Sequence, residues 1–237
     1  MKELITAGLA SMNLLDRVPP QAPEQLAEYG RLLLEKNQVM NLTAIREPDQ
    51  VARLHMLDCA ALLHCADLSG KTLLDVGTGA GFPGMVLKIL QPDLSLRLLD
   101  GLAKRLDWLE TVADALGLED VRRVHGRAEE YALQAGFRDS FDLVTARAVA
   151  DFRLLAELCL PFVRPGGQLL AMKSVDCQAE LDGAAHAIKL LGGRLLEPYD
   201  YTIPGTDVTH RVVRVQKVAP TLKGYPRRWA KMQKAPL

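Results

Sequence analysis

Three glycines alternate after a short apolar run: Thr72-Leu73-Leu74-Asp75-Val76 leads into Gly77-Thr78-Gly79-Ala80-Gly81-Phe82-Pro83-Gly84. Glycine accepts positive φ and leaves the backbone bare, and a helix N-terminus that follows presents free N–H groups to a polar ligand. Pro83 stands where a helix would begin, at the position whose missing N–H costs least. The spacing therefore predicts strand, tight turn and helix, with Gly77, Gly79 and Gly81 lining the turn. Asp100 closes the next apolar run and lies 23 residues beyond Gly77. An acidic residue about 20 residues after such a turn accepts hydrogen bonds from a ribose diol. Asp100 would equally suit the cap of a helix beginning near Leu102.

Other candidates fall at the ends of later apolar runs. His125-Gly126-Arg127-Ala128-Glu129 follows the third run, where Glu129 could meet an adenine edge or simply favour a helix start as a first-turn acid. Arg147 ends the fourth, and its permanent charge calls for an anion. That anion could be the carboxylate of a bound amino-acid moiety, an RNA phosphate or a carboxylate of the protein itself. Lys173 ends the fifth and would project over the same cleft. Lys104 and Arg105 open the helix after Asp100 against its dipole. The loop Asn37 to Ile45 is rich in amides and hydroxyls that suit turns and caps as well as recognition. His55, Cys59, His64 and Cys65 lie close together but match no closed zinc spacing, so no metal is expected.

These positions need a scaffold, and from residue 72 onward the pattern alternates. Strands are predicted at 72–76, 94–100, 121–125, 141–146 and 168–173, with helices near 83–91, 102–116, 127–135, 151–163 and 178–191. That rhythm implies a parallel sheet covered on both faces, with ligands at the carboxyl ends of the strands. The apolar stretches 194–200 and 209–218 are separated only by a loop with Pro204 and Gly205, so they should pair antiparallel. Upstream, helices are predicted over 24–36 and 48–63. The whole reads as an α/β protein of the class I S-adenosylmethionine (SAM) methyltransferase type. Its mostly parallel seven-stranded sheet would end in an antiparallel pair, and a dehydrogenase sheet would not. The division expected is a helical extension over 1–70, a SAM-binding core over 71–220 and a basic tail over 221–237.

Composition is that of an ordinary globular chain of 237 residues, 49% hydrophobic and 24% charged, with zero net charge. The balance hides an asymmetry: residues 1–70 carry 6 basic and 9 acidic side chains, whereas 203–237 carry 8 basic residues and only Asp207. A basic tail suits a polyanionic partner, or is a solvated terminus. No signal-peptide pattern or membrane-length apolar run appears. The four cysteines read as scattered buried thiols. A cytoplasmic monomer is expected.

The reaction is narrowed by what the chain lacks. No Asn/Asp-Pro-Pro-Tyr segment suits exocyclic-amine methylation, and no cysteine has the context for attack on a pyrimidine ring. A ring nitrogen with a free lone pair, such as guanine N7, needs neither nucleophile nor base, only alignment. The chain resembles the bacterial 16S ribosomal RNA guanine-N7 methyltransferases, the RsmG family. The resemblance rests on Asn37 with Asn41-Leu42-Thr43-Ala44-Ile45, His55-Met56-Leu57-Asp58, the segment 75–84, Leu99-Asp100 with Lys104-Arg105, Arg127-Ala128-Glu129, Phe141-Asp142, Arg147-Ala148 and Tyr225-Pro226-Arg227. It implies SAM as cofactor, held by Gly77, Phe82, Ala128, Glu129 and Arg147, and 16S ribosomal RNA or a small-subunit precursor as partner. The chain departs from the family pattern at Cys59, at Gly101 and after Arg228, where Trp229-Ala230-Lys231-Met232 lacks the glycine and proline often found there. A SAM enzyme of small molecules, an NAD oxidoreductase and a non-catalytic RNA-binding assembly factor are the competing readings.

Overall fold

A computed structural model describes all 237 residues. Eight strands form one sheet: β1 (Thr72–Val76), β2 (Ser95–Asp100), β3 (Val121–His125), β4 (Phe141–Arg147), β5 (Val163–Ser174), β6 (Gly193–Leu195), β7 (Tyr199–Thr202) and β8 (Thr209–Lys217). Their order is β3-β2-β1-β4-β5-β8-β6, with β7 also on β8. The first five run parallel, and β8 is antiparallel to β5 and to both β6 and β7. The expected antiparallel pair is present, and the eighth strand arises because its outer member is split. Leu195 pairs with Val215 and Tyr199 with Val212, four residues against three. The extra residue is a bulge beside Pro198, which has no N–H to give the ladder. Strand order reverses between β1 and β4, the switch point at which such sheets bind ligands.

The helices are α1 (Lys2–Ser11), α2 (Ala22–Met40), α3 (Pro48–Val51), α4 (Asp58–Ala60), α5 (Gly84–Leu90), α6 (Ala103–Leu116), α7 (Ala128–Tyr131), α8 (Phe152–Cys159), α9 (Gln178–Leu190) and α10 (Trp229–Lys234). A π turn over Ala52–Leu57 joins α3 to α4, and a 3-10 turn over Ala61–His64 extends α4. Helix α2 starts with Pro23 in its first turn and ends on Asn41 in the left-handed conformation, at φ 49°. It therefore runs longer than the span 24–36 expected from the apolar spacing. Helix α7 is shorter than expected. The spacing did not indicate α1 or α10.

One apolar core lies on each face of the sheet. The first gathers Leu73, Leu96 and Leu98 from the strands, α5 and α6, and the N-terminal helices through Leu9, Leu26, Tyr29, Leu33 and Met56. The second gathers Leu74, Leu99 and Val144, α8 and α9, and Met232 of α10. Both chain ends are thus built into the cores: α2 packs on α5 and α6, with α1 against α2 and the π turn, while α10 packs against α8. The Tyr29 hydroxyl donates to the carbonyl of Ala80, which ties α2 directly to the glycine turn. No helix is long and apolar enough to cross a membrane.

Two of the turn glycines answer to different constraints. At Gly81 (φ 91°), a Cβ would fall 2.7 Å from Leu109 and 2.8 Å from Met85 and would strike the Tyr29 hydroxyl. At Gly79 (φ 58°), the nearest atom to a Cβ is the Gly77 carbonyl oxygen at 3.8 Å. Gly81→Ala is therefore expected to cost about 2–3 kcal/mol through overpacking and strain, and Gly79→Ala only about 1 kcal/mol through its φ. Urea denaturation of the two variants measures the difference, and equal losses would contradict it.

Candidate cofactor site and adjoining polar network

Asp75 organises the turn. Its side chain is fully buried and accepts from the Thr78 hydroxyl (2.6 Å), the Gly84 N–H (3.1 Å) and the Thr145 hydroxyl of β4 (2.8 Å). Burial pushes its pKa up to about 6 against the pull of these three donors, so at neutral pH it is an acceptor only. No Cβ fits at position 84, since it would lie 2.9 Å from the Asp75 carboxylate. The N–H groups of Gly77 and Thr78 both donate to the Leu99 carbonyl, so the turn folds back onto the end of β2.

A cavity of about 210 Å³ opens at the carboxyl ends of the strands. Gly77 closes it below β1, Asp100 and Gly101 below β2, and Arg127, Ala128 and Glu129 below β3. Val149, after β4, and Trp229 of α10 complete the wall. Asp100 is 6% exposed: one oxygen accepts from the Gly79 N–H and the other from the Leu102 N–H, both at 2.9 Å. The capping role and the turn-facing role thus coexist in one carboxylate. Glu129 is buried, opens the first turn of α7 and meets only the Nε of Arg127, at 3.3 Å. Positive φ at Gly77 and Gly79 leaves bare backbone for close approach, and the Asp100 and Glu129 carboxylates are acceptors that fit the hydroxyl and amino donors of an adenosine moiety.

Four of the sequence-predicted residues therefore share this cavity: Gly77, Asp100, Ala128 and Glu129. Gly79 lies one bond away, held by Asp100. Gly81 faces α2 and α6. Phe82, 4% exposed, lies behind the turn, stacked on the His55 ring at 4.4 Å between centroids. Arg147 points towards the same helical layer, with its guanidinium 4.8 Å over the Phe82 ring. Lys173 donates to the Ala150 carbonyl (2.8 Å) and to Glu180 (2.7 Å), whose same oxygen accepts from the Phe152 N–H. It thereby pins the loop after β4, where Ala148 is left-handed at φ 55°.

Arg147 is the centre of a network that sequence reasoning did not assemble. One guanidinium nitrogen donates to the Leu54 carbonyl and to Asp58, each at 3.2 Å, and the other to His55 Nδ1 at 3.0 Å. His55 must therefore carry its proton on Nε2, which donates to the Thr43 hydroxyl oxygen at 2.8 Å. Burial and the Arg147 charge lower the His55 pKa to about 3, consistent with a neutral ring. The second oxygen of Asp58 accepts from the Tyr201 hydroxyl (2.6 Å) and His210 Nδ1 (2.8 Å). That hydrogen bond raises the His210 pKa. The polar loop at 37–45 joins through Asn37, whose side chain accepts from the N–H groups of Leu42 and Thr43 and donates to the Thr43 carbonyl. The spacing of His55 and Asp58, three apart on one helical segment, was the one local clue; Tyr201 and His210 offered none.

Residues 22–199 match the family described as rRNA small subunit methyltransferase G. The ribosomal RNA small subunit methyltransferase G of Lachnoclostridium phytofermentans is 46% identical over 215 residues, 90% of this chain and 89% of that one. The chain belongs to this family. Among solved structures, the SAM-dependent O-methyltransferase of Thermotoga maritima is similar in fold, with TM-score 0.53 at 15% identity over 81% of this chain and 73% of that one. A branched-chain polyamine synthase mutein of Thermus thermophilus, in complex with 5'-methylthioadenosine, has TM-score 0.63 at 16% identity over 87% of this chain and 66% of that one. As a member of this methyltransferase family with the fold of a SAM-dependent methyltransferase, the chain takes SAM as its cofactor.

Because His55 is near 6.5 when unfolded and about 3 when folded, the folded state binds fewer protons between those values. Its contribution to stability is complete above pH 6.5 and is lost as pH falls. His55→Gln keeps an acceptor for Arg147 and a donor for Thr43 but does not titrate. The slope of wild-type stability between pH 6 and 4 is expected to exceed that of the variant by up to about 1.4 kcal/mol per pH unit. Parallel stability curves from urea titrations would contradict it.

Proposed function

We propose that the chain transfers the methyl group of SAM to N7 of a guanosine in the 16S ribosomal RNA of the small subunit. The observation that carries this reading is the convergence of Gly77, Asp100, Ala128 and Glu129 on one cavity at the sheet's switch point, in a chain of this family. SAM supplies an electrophilic methyl group on a sulfonium centre. Gly77 and Gly79 offer backbone to it, Asp100 suits its ribose, and Ala128 and Glu129 suit its adenine edge. Free buried cysteines fit a reducing cytoplasm.

Guanine N7 carries a free lone pair at neutral pH, so no proton has to be removed and the protein's task is alignment. The polar network agrees with that task. Both His55 nitrogens are engaged and its pKa is near 3, so it is a poor base at neutral pH. Arg147 uses three of its five N–H bonds within the chain and keeps two for an acceptor beyond it. A methionine carboxylate or guanine O6 would suit, whereas a cation against N7 itself would oppose methylation there. Phe82 and Lys173 serve this arrangement as positioning residues, the one beneath the guanidinium and the other on the loop that follows it.

Transfer of labelled methyl from SAM to 16S ribosomal RNA or a small-subunit precursor, followed by digestion, is expected to release 7-methylguanosine. Any other methylated nucleoside would sink the assignment. Single-turnover rates are expected to show no catalytic-base ionisation between about pH 6 and 9. Arg147→Lys retains charge without the planar fork and is expected to slow the step by about tenfold or more.

The tail offers cations for the RNA, though not the ones a count of charges suggests. Arg227 is committed to Glu157 of α8 through its N–H, Nε and Nη2. Arg228, Lys231 and Lys234 are exposed along α10. Replacing these three with Gln is expected to lower the slope of RNA affinity against salt while leaving SAM affinity as it was. An unchanged slope would make this face an ordinary solvated surface.

A further inference from the structure

One wall of the cavity comes from the far end of the chain. Trp229, the first residue of α10, lines it beside Arg127, whose guanidinium lies 5.5 Å from the indole ring. Gly101, just after β2, faces the same guanidinium, since a Cβ there would lie 3.9 Å from it, and Asp100 and Gly126 also line the cavity. In a sheet of this order the acid that ends β2 takes the ribose, so the strand beyond it, β3, marks the base end of the nucleoside. We infer that Trp229 forms the base-end wall of the cofactor site, its indole packing against the adenine with Arg127 behind it. The inference rests on the assignment of this cavity to SAM.

The wall is held in place rather than left to drift. Arg138 donates to the carbonyls of Thr221, Leu222 and Tyr225. The side chain of Lys217, wholly buried, donates to Asp139, the Leu160 carbonyl and the Thr221 hydroxyl. Arg227 clamps the buried Glu157, and Met232 is fully buried one turn after Trp229. Four anchors, two of them meeting at Thr221, therefore fix the approach of α10 to the cavity. An aromatic face set against a guanidinium is a stacking surface for a π-system, and it gains most where water is excluded.

Trp229 and Trp108 are the only tryptophans, and Trp108 lies on α6, outside this cavity. Wild type, Trp229→Phe and Trp229→Ala are titrated with S-adenosylhomocysteine by calorimetry and by tryptophan emission, after melting curves confirm that each is folded. The wild-type emission is expected to change on binding, and that change is expected to vanish in Trp229→Phe. Trp229→Ala is expected to bind about tenfold more weakly and Trp229→Phe within about twofold of wild type. Equal affinities in all three, or an emission change that persists in Trp229→Phe, would overturn the inference alone. A wild type that bound no S-adenosylhomocysteine would overturn the cofactor assignment and this inference with it.

Discussion

One buried carboxylate sets the geometry on which the rest depends. Asp75 bonds at once to the turn (Thr78), to the start of α5 (Gly84) and to the neighbouring strand across the switch point (Thr145). Each is a donor that burial would otherwise leave unsatisfied, at roughly 1–3 kcal/mol apiece. Burying the charge is itself unfavourable, as the raised pKa records. The arrangement therefore holds only while all three donors point inward, which makes the turn rigid. A rigid turn lets Gly77 and Gly79 present bare backbone in one fixed conformation, and lets Asp100 reach across to the Gly79 N–H.

The parts of the fold set by local pattern were legible in the sequence. Five parallel strands and their helices follow from alternating apolar runs and glycine-proline punctuation, and the boundaries of β1 and β3 match their expected spans. Those features depend on neighbours along the chain. The split between β6 and β7 turns on a single proline within an apolar run, which hydrophobicity alone passes over. Helix α10 had an equally weak local signal: six residues, half of them polar, whose stability comes from Met232, Trp229 and the Arg227–Glu157 pair reaching distant elements.

The same distinction separates the legible half of the site from the other half. Gly77, Asp100, Ala128 and Glu129 each end or follow a parallel strand, and parallel strands bring their carboxyl ends to one edge whatever the side chains do. Arg147 also ends a strand, yet its direction is decided by Asp58, His55 and the Leu54 carbonyl, about 90 residues earlier. Spacing places His55 and Asp58 on one helical segment but cannot reveal their pairing with Arg147. The π turn over Ala52–Leu57 is the local oddity that marks it, since wider turns of this kind gather at functional positions.

Both termini are thereby drawn to the two sides of one edge of the sheet, where the strands' carboxyl ends lie. The N-terminal helices deliver Thr43, His55 and Asp58 behind the turn, and the C-terminal strap delivers Trp229 to the cavity in front of it. Helix α10 also has two faces: Trp229 and Met232 turn inward, while Arg228, Lys231 and Lys234 stand in solvent. One short element thus carries both a cavity wall and a row of cations suited to phosphate. Because Arg138, Lys217, the Arg227–Glu157 pair and Met232 already fix α10, neither face has to be ordered by its ligand, and each presents its groups from one preset position.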